Sequence, residues 1–321
     1  MDIQASIGKP GARTQKSKFK DFLSQLDIQS MLWPGLICLL IFQYLPLYGI
    51  LIAFKKYSIY TPGMQGILTA PFVGLKNFSD FLTNPDFYNA LKNTLGMNIL
   101  GLLIGFPAPI IFALLLNELS SQKFRKLVQT ISYLPHFISW IIFGGLIMSM
   151  LSIETGVVND VLLKLGLVKE PVLFLGKPQY FWFLSVFSGL MKELGWSAII
   201  YLAAIAGVDQ EMHEAATIDG ANRFQRIFYI TIPAIAGTII ILLILRISHM
   251  LNNGFDQIYV LQNPLNMSAS EVIDTYVYKM GVRESRFSYA TAVGLAKSIV
   301  AVILLTGANF ISKKITDKGL Y

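Results

Sequence analysis

The sequence predicts an all-α membrane protein with six transmembrane helices. Of its 321 residues, 54% are hydrophobic and 14% are charged, whereas about 25% of the residues of an average soluble protein are charged. Its mean hydropathy is +0.56, and several apolar runs reach the ~20 residues that cross the hydrocarbon core of a bilayer. Polar segments separate these runs, which predicts a polytopic protein.

Six apolar segments have the length and composition of membrane spans. Prolines interrupt some of them, as at Pro34, Pro107 and Pro109, but membrane helices tolerate proline because neighbouring helices satisfy the freed backbone groups. We predict one six-helix transmembrane domain over residues 31–311 and no second domain. The predicted spans are 31–54, 94–116, 128–151, 180–206, 234–252 and 289–311.

Lysine and arginine in the connecting segments set the predicted orientation, because cytoplasmic segments of membrane proteins are enriched in them. A compact basic cluster at 123–126 separates the second and third spans, and further lysines lie in the C-terminal segment 312–321. Both fall on the cytoplasmic side if the N-terminus is cytoplasmic. With an even number of spans, the two termini and the loop 207–233 then lie in the cytoplasm.

The segments outside the spans have distinct compositions. Residues 1–30 are polar and basic and predict a cytoplasmic tail, and the apolar run after them is too long for the core of a cleavable signal peptide. Phe19, Phe22 and Leu23 recur at helical spacing, so we expect an amphipathic helix on the inner membrane surface. Aromatic and aliphatic residues predict short surface or re-entrant helices in the external segments 55–93, 152–179 and 253–288.

The 207–233 loop is polar and helix-forming, although it lies between two apolar spans. Acidic and apolar residues recur at helical spacing from Glu211 to Ile218, which predicts a helix that a partner can approach closely. Gly220 permits a sharp turn into a second helix. An ordinary amphipathic connector is the alternative. The residues assigned to a docking surface are Glu211, Glu214, Ala215, Ala216, Ile218, Asp219, Gly220, Arg223 and Phe224.

Charged residues inside the predicted spans are the second informative feature. A charge near the bilayer centre costs roughly 2.5–3.5 kcal/mol on the insertion scale, so such groups face a cavity or a partner. They line a translocation pathway under one interpretation. Under the other they pair internally, for instance Glu193 with Arg246, and lock the bundle. The excess of cations over carboxylates favours an anionic or heavily hydroxylated solute. The residues are Lys192, Glu193, Arg246 and Lys297.

Aromatic and polar residues accompany these charges. His249 and Asn253 follow Arg246 on one helix face, and tryptophans on the third and fourth spans offer surfaces on which sugar rings stack. Residues 181–183 begin a span, so we expect them in an interfacial aromatic belt. The predicted pathway residues are Trp140, Lys192, Glu193, Trp196, Arg246, His249, Asn253 and Lys297.

Motifs for catalysis and cofactor binding are missing from the sequence. It has no G-x-x-x-x-G-K-[ST] to cradle ATP phosphates, and neither H-E-x-x-H nor G-x-S-x-G. Its three histidines lie far apart, so we expect no metal site. The basic residues are scattered between apolar spans, without the clustered face that nucleic-acid binding needs. We predict a transporter subunit that is not an enzyme and binds no cofactor.

Three stretches of the sequence carry a family resemblance. The spacing Glu-Ala-Ala, three residues, Gly, nine residues, Ile-x-Ile-Pro begins at Glu214 and resembles the signature EAA loop of the membrane subunits of bacterial ABC importers. The stretches FQYLPLYG at 42–49 and YLPHFISW at 133–140 resemble those of a Gram-positive branch of maltose-type carbohydrate-uptake permeases. Ile232 stands where the family often has leucine, a volume-conserving change.

The resemblance implies the type I ABC importer permease fold in the bacterial plasma membrane. It implies a heterodimer with a second, homologous permease, two copies of a cytoplasmic ATPase that binds ATP and magnesium, and an extracytoplasmic solute-binding lipoprotein. The loop 207–233, called the coupling loop below, would seat in a cleft of the ATPase, and ATP binding would rock the bundle from inward- to outward-facing. The implied cargo is an oligosaccharide derived from a polysaccharide such as pectin or rhamnogalacturonan, and the excess of central cations favours one that carries a uronic acid over a neutral one.

The sequence leaves other classes of membrane protein open. A secondary transporter needs a coupling-ion carboxylate or broken helices in matched halves, and Glu193 is the one acid central to a predicted span. An ABC permease for a solute other than a sugar would share the coupling loop. A membrane enzyme acting on glycans needs paired carboxylates or a metal cluster, which the sequence does not show.

Overall fold

The computed structural model describes residues 26–61, 63–316 and 319–320. Over these residues the protein is helical, and one antiparallel bridge, between Lys55 and Phe72, is its only strand-like pairing. Contacts divide the chain into two units, with the boundary between Leu51 and Ile52; the cavity and the coupling loop described below lie in the second unit. The amphipathic helix predicted near residues 19–23 lies outside the described residues.

The helices of the described residues are short in the outer segments and long in the spans. In chain order they are α1 (Leu26–Leu39), α2 (Gly63–Thr69), α3 (Lys76–Leu82), α4 (Pro85–Leu100), α5 (Pro107–Asn117), α6 (Gln122–Tyr133), α7 (Trp140–Met150), α8 (Val157–Lys164), α9 (Pro178–Ala206), α10 (Gln210–Ile218), α11 (Arg223–Arg226), α12 (Ile232–Ser248), α13 (Phe255–Leu261), α14 (Met267–Ser270), α15 (Ile273–Tyr278) and α16 (Phe287–Thr316). Segments of π- or 3₁₀-helix adjoin them at Leu40–Tyr44, Leu45–Phe54, Gly101–Gly105, Leu134–Phe137, Phe174–Gly176, Ile227–Thr231 and Lys279–Arg283.

Five predicted spans are confirmed as continuous helical segments. Some exceed their predicted bounds because polar residues stabilise the outer turns. Asn84 caps α4 by accepting a hydrogen bond from the N–H of Asp86 at 2.9 Å, and lysines in the last turn of α16 complement the helix dipole. The segments long and apolar enough to cross a membrane are Gln29–Phe54, Pro85–Asn117, Pro178–Ala206, Arg223–Ser248 and Phe287–Thr316.

The third span, predicted as one helix over 128–151, is a bent pair. The segment Gln122–Phe137 meets α7 at 105°. Pro135 cannot donate a backbone hydrogen bond, and Ser139 has extended backbone and caps α7 by accepting from the N–H of Ile142 at 3.4 Å. The prediction of a continuous helix is therefore wrong, and the described residues contain six spans when the bent pair counts as one.

The three segments predicted to lie outside contain short helices, as predicted, and these are called the outer helices below; the side of the membrane on which they lie stays a prediction. The hydroxyls of Tyr276 and Tyr289 lie 2.6 Å apart in a buried cluster, and burial together with this hydrogen bond raises the pKa of the Tyr276 phenol. The side-chain amide of Asn93 donates to the backbone oxygens of Ser268 and Glu271, each at 3.0 Å. These buried polar contacts fix the outer helices against α4 and α16.

The aromatic belt predicted for residues 181–183 is wrong at its first two positions. Phe181 is 1% exposed and lies in a core cluster with Met97 and Phe143, and Trp182 donates from Nε1 to the backbone oxygen of Ala269 at 3.1 Å. The outer helices α13 and α14 cover this end of α9. Phe183 alone is exposed.

Candidate functional site

A cavity of about 790 Å³ lies between the second, fourth and fifth spans, within the ~300–1,000 Å³ usual for small-molecule sites. One face of α9 lines it from Ser185 to Tyr201, and the outer half of α12 lines it from Leu242 onwards. The N-terminal part of α13 closes one side. Residues that recur at helical spacing on one face of each helix therefore line the same cavity.

Irregular backbone in the second span makes room for this cavity. Gly101 and Gly105 bound a π-helical turn and both line the space, and irregular helix at membrane depth is tolerated where it lines a cavity. A Cβ added at Gly101 would lie 3.0 Å from Nη2 of Arg246. The guanidinium of Arg246 therefore occupies space that the missing side chain leaves.

Six of the eight predicted pathway residues line the cavity, and two do not. Lys192 and Lys297 lie outside its lining. The cavity therefore combines two indole rings with polar groups and one cationic side chain. The six lining residues are Trp140, Glu193, Trp196, Arg246, His249 and Asn253.

Glu193 is held by two neighbours. Nδ1–H of His136 donates to Oε2 of Glu193 at 2.7 Å, and Nζ of Lys192 lies 3.4 Å from Oε1. Lys192 also donates to the backbone oxygen of His136 at 2.6 Å and is 4% exposed. Internal pairing therefore holds for Glu193, but its partners are His136 and Lys192. Arg246 is not among them.

Lys297 forms an ion pair with Asp274 of α15. Asp274 also accepts a hydrogen bond from the backbone N–H of Asn253 at 3.1 Å, so one carboxylate joins α16 to the end of the fifth span. The expected excess of positive charge, three cations against one carboxylate, is corrected accordingly. Lys192 and Lys297 are both neutralised, and neither lies in the cavity wall.

Arg246 has no charged partner among the residues that the structure describes. It lies on the cavity side of α12 and forms no ion pair with any residue of the described part of the chain. Oδ1 of Asn253 is buried and accepts no hydrogen bond within the described residues. A buried polar atom without a partner costs about 1–3 kcal/mol, so this wall holds polar capacity that the chain itself does not satisfy.

Some residues of the site were not predicted from the sequence. Gln257 lines the cavity and donates from Nε2 to the backbone oxygen of Ser185 at 2.6 Å, although it follows the fifth span in a segment expected outside. No local pattern marks Gln257 or Asp274, because their partners are distant in sequence. Gly101 lies in a G-x-x-x-G pattern too common in membrane helices to be decisive. Across the described ranges, no cluster of His, Cys, Asp or Glu suits a metal ion.

The coupling loop contains the predicted helix, glycine turn and second helix, but the second helix, α11, is the beginning of the continuous segment Arg223–Ser248 and not a separate helix before the fifth span. Asp209 caps α10 by accepting from the N–H of Glu211 at 2.9 Å. The helix ends in a Schellman turn, in which the N–H of Gly220 donates to Thr217 and that of Ala221 donates to Ala216 at 2.8 Å. Gly220 has φ of +82°, which confirms the sharp turn.

The surface of the coupling loop is exposed and partly apolar. Ile218 is 86% exposed and Phe224 is 74% exposed, while Glu214 and Ala215 are exposed beside them. A capping box at Asn222 begins α11. The surface combines apolar side chains with acidic residues of α10, as a docking surface does. Its use for docking stays a prediction.

A bundle of helices long enough to span a membrane, with a mainly apolar cavity that holds a few polar side chains and with an exposed helix–turn–helix loop, is typical of a solute-transport subunit. The chain matches the family described as "Binding-protein-dependent transport system inner membrane component" over residues 87–317, and it belongs to that family. It is thus a multi-pass permease subunit of an ABC importer and not an enzyme. This membership excludes the secondary transporter and the glycan enzyme.

Named relatives cover almost the whole chain. Protein LplB of Bacillus subtilis is 48% identical over 91% of this chain and 90% of its own length. The "Polygalacturonan/rhamnogalacturonan transport system permease protein YteP" of Bacillus subtilis is 43% identical over 96% of this chain and 95% of its own. A chain from a crystal structure of "a bacterial ABC transporter involved in the import of the acidic polysaccharide alginate" has a TM-score of 0.84 and 40% identity, with 93% and 99% coverage.

Proposed function

We propose that this permease passes oligosaccharides that carry a uronic acid, received from an extracytoplasmic solute-binding lipoprotein. The observation that carries the proposal is Arg246, a cation without an ion-pair partner among the described residues, in the wall of a cavity that also presents Trp140 and Trp196. Indole rings suit sugar rings, and a guanidinium suits a carboxylate.

The unpaired charge of Arg246 is costly inside a membrane, and an acidic sugar would offset part of that cost. A central arginine costs roughly 2.5–3.5 kcal/mol on the insertion scale, and here no carboxylate of the described residues offsets it. A uronate in transit would accept charge-assisted hydrogen bonds from the guanidinium. The protein then binds an acidic sugar more strongly than a neutral sugar of the same size.

The names of the relatives support an acidic cargo. YteP is named for polygalacturonan and rhamnogalacturonan transport, and the similar solved transporter is described with an acidic polysaccharide, alginate. The family description itself requires a binding protein. An ABC permease for a solute other than a sugar remains the alternative, and the two indole rings in the cavity favour carbohydrate over it.

Arg246→Gln tests this proposal in proteoliposomes that hold the whole importer. Uptake of two oligosaccharides of equal length, one neutral and one with a uronic acid, is compared with wild type for each sugar, which cancels the preference of the binding protein. We expect the variant to lose uptake of the acidic sugar at least tenfold more than that of the neutral one. Arg246→Lys, which keeps the charge, should retain most of the difference.

The matched control removes a membrane cation outside the cavity. The double variant Asp274→Asn, Lys297→Gln removes both charges of an ion pair at once and should lower uptake of the two sugars equally, if at all. Equal loss of both sugars in Arg246→Gln refutes the acidic cargo. The permease assignment, which rests on family membership, would stand.

The coupling loop is proposed to dock on the cytoplasmic ATPase, with both chain termini on the same side of the membrane. Its exposed apolar side chains, Ile218 and Phe224, would be buried in the ATPase, and Glu214 would pair with a basic residue there. Two ATPase copies bind ATP and magnesium, and a second permease completes the bundle. ATP-driven closure of the ATPases then pulls the coupling loops together and opens the cavity outwards.

A further inference from the structure

Trp196 has one ring face covered by a stacked side chain and is still partly exposed. The imidazole of His136 stacks on its indole, with ring centroids 4.3 Å apart and planes at 2°, and Phe137 meets the indole at 80°. Trp196 is 44% exposed and lines the cavity, whereas His136 does not line it. The cavity therefore borders Trp196 on a part of the indole that His136 leaves uncovered.

His136 is fixed in turn by the break in the third span. Because the helix stops at Phe137, the carbonyl oxygen of His136 receives its hydrogen bond from Lys192 at 2.6 Å instead of from the next turn. Its ring donates to Glu193 at 2.7 Å. Lys192, Glu193 and Trp196 all belong to α9, so one helix supplies both the groups that hold His136 and the ring that it covers.

The backbones of the two spans meet closely at this point. A Cβ added at Gly195 would lie 2.3 Å from the backbone oxygen of Ser132, so α9 and α6 are in contact where the stack forms. The charges of Lys192 and Glu193 are satisfied by each other and by His136. They hold the stack in place and leave the indole face as the apolar surface of this wall.

We infer that Trp196 is a stacking platform for a pyranose ring and that His136 is the positioning residue of that platform. The C–H groups of a sugar ring carry partial positive charge and suit the electron-rich face of an indole. A ring locked in one orientation binds with less loss of side-chain entropy. The inference rests on the proposed function only in taking the solute to be a carbohydrate, since stacking does not need an acidic group.

A double-mutant cycle tests this inference in the reconstituted importer. Trp196→Ala should lower oligosaccharide-stimulated ATP hydrolysis about tenfold, and His136→Ala should lower it severalfold. If His136 acts through Trp196, the double variant is no worse than Trp196→Ala alone, because neighbours that share one role are not additive. Losses that multiply in the double variant overturn the positioning role of His136.

Conservative variants keep the test decisive if His136→Ala does not assemble. His136→Phe keeps a ring on Trp196 and loses the bond to Glu193, whereas His136→Asn keeps a donor and loses the ring. Rescue by Phe and not by Asn supports the stack, and the reverse result overturns it. Phe183→Ala, on the same helix but outside the cavity lining, should leave stimulation unchanged.

Uptake of neutral and acidic sugars by the two variants tests the stacking platform separately from the proposal of an acidic cargo. Trp196→Ala should lower uptake of neutral and uronate-bearing sugars by the same factor, because the indole face carries no charge. Arg246→Gln should change the ratio of the two sugars. A Trp196→Ala importer with undiminished uptake of both refutes the platform, whatever Arg246→Gln does.

Discussion

Replacing Gly220 should release the two helices of the coupling loop from their fixed angle. Gly220 has φ of +82°, a conformation that costs other L-residues about 1–2 kcal/mol. The Schellman bond from Ala221 to Ala216, at 2.8 Å, depends on it. Nothing lies within 4 Å of a Cβ added at Gly220, so the penalty comes from the backbone and not from a steric clash.

This penalty is large for so small an element. α10 has 9 residues and none of them is buried, and an isolated helix of that length is marginal in water. A cost of about 1–2 kcal/mol shifts a two-state equilibrium by a factor of about 5–30. We therefore expect Gly220→Ala to weaken ATPase association about fivefold and Gly220→Val to weaken it more. Gly220→Asn should stay near wild type, because asparagine tolerates left-handed backbone.

Co-purification of the ATPase with tagged permease in nanodiscs measures this series, and ATP hydrolysis on addition of loaded binding protein gives a second readout. Gly207→Ala is the matched control in the same loop, because Gly207 has φ of −86° and an added Cβ would make only an ordinary contact at 3.5 Å with Ala204. Equal behaviour of the Asn, Ala and Val variants at Gly220, or an equal loss in Gly207→Ala, would refute the reasoning.

Two further predictions test the docking surface and the orientation. Glu214→Lys should abolish coupled uptake and weaken ATPase co-purification with insertion intact, since breaking one side of a buried charge pair costs about 3–5 kcal/mol; full uptake by this variant contradicts the docking role. In a Cys38→Ala background, cysteine at Ser121 or Thr217 should resist a membrane-impermeant thiol reagent outside intact cells, and cysteine at Ser268 should react. The reverse labelling pattern overturns the orientation.

The membrane spans could be predicted because the length and hydropathy of an apolar segment suffice to identify a membrane helix. The break within the third span was not, because proline is tolerated in other spans of the same chain, as at Pro107. At Pro135 the chain breaks because Ser139 caps a new helix and Lys192 supplies a donor to the freed carbonyl oxygen. The second of these contacts is distant in sequence, and no local pattern reveals it.

The coupling loop was the most predictable part of the candidate site. Its helix, its glycine turn and its exposed surface are local properties, fixed by residues within one short segment, and Gly220 has the predicted positive φ. The cavity was less predictable. Helical spacing placed Glu193 and Arg246 near one another in depth, but their pairing depends on how the helices rotate. The sequence does not determine how each helix is rotated about its axis. For this reason Asp274 was not predicted to be the partner of Lys297.

The distribution of charge pairs limits how tightly the cavity can hold an acidic sugar. Lys192 and Lys297 are both neutralised within the chain, so among the described residues a uronate in the cavity meets the single free charge of Arg246. A hydrogen bond to a charged group contributes about 1.5–3 kcal/mol, which corresponds to a preference of about ten- to a hundredfold for the acidic sugar. A transit site must release its cargo, and three free cations would retain it. We therefore expect the preference lost in Arg246→Gln to fall in this range, and a much larger loss would show that more than one cation contacts the solute.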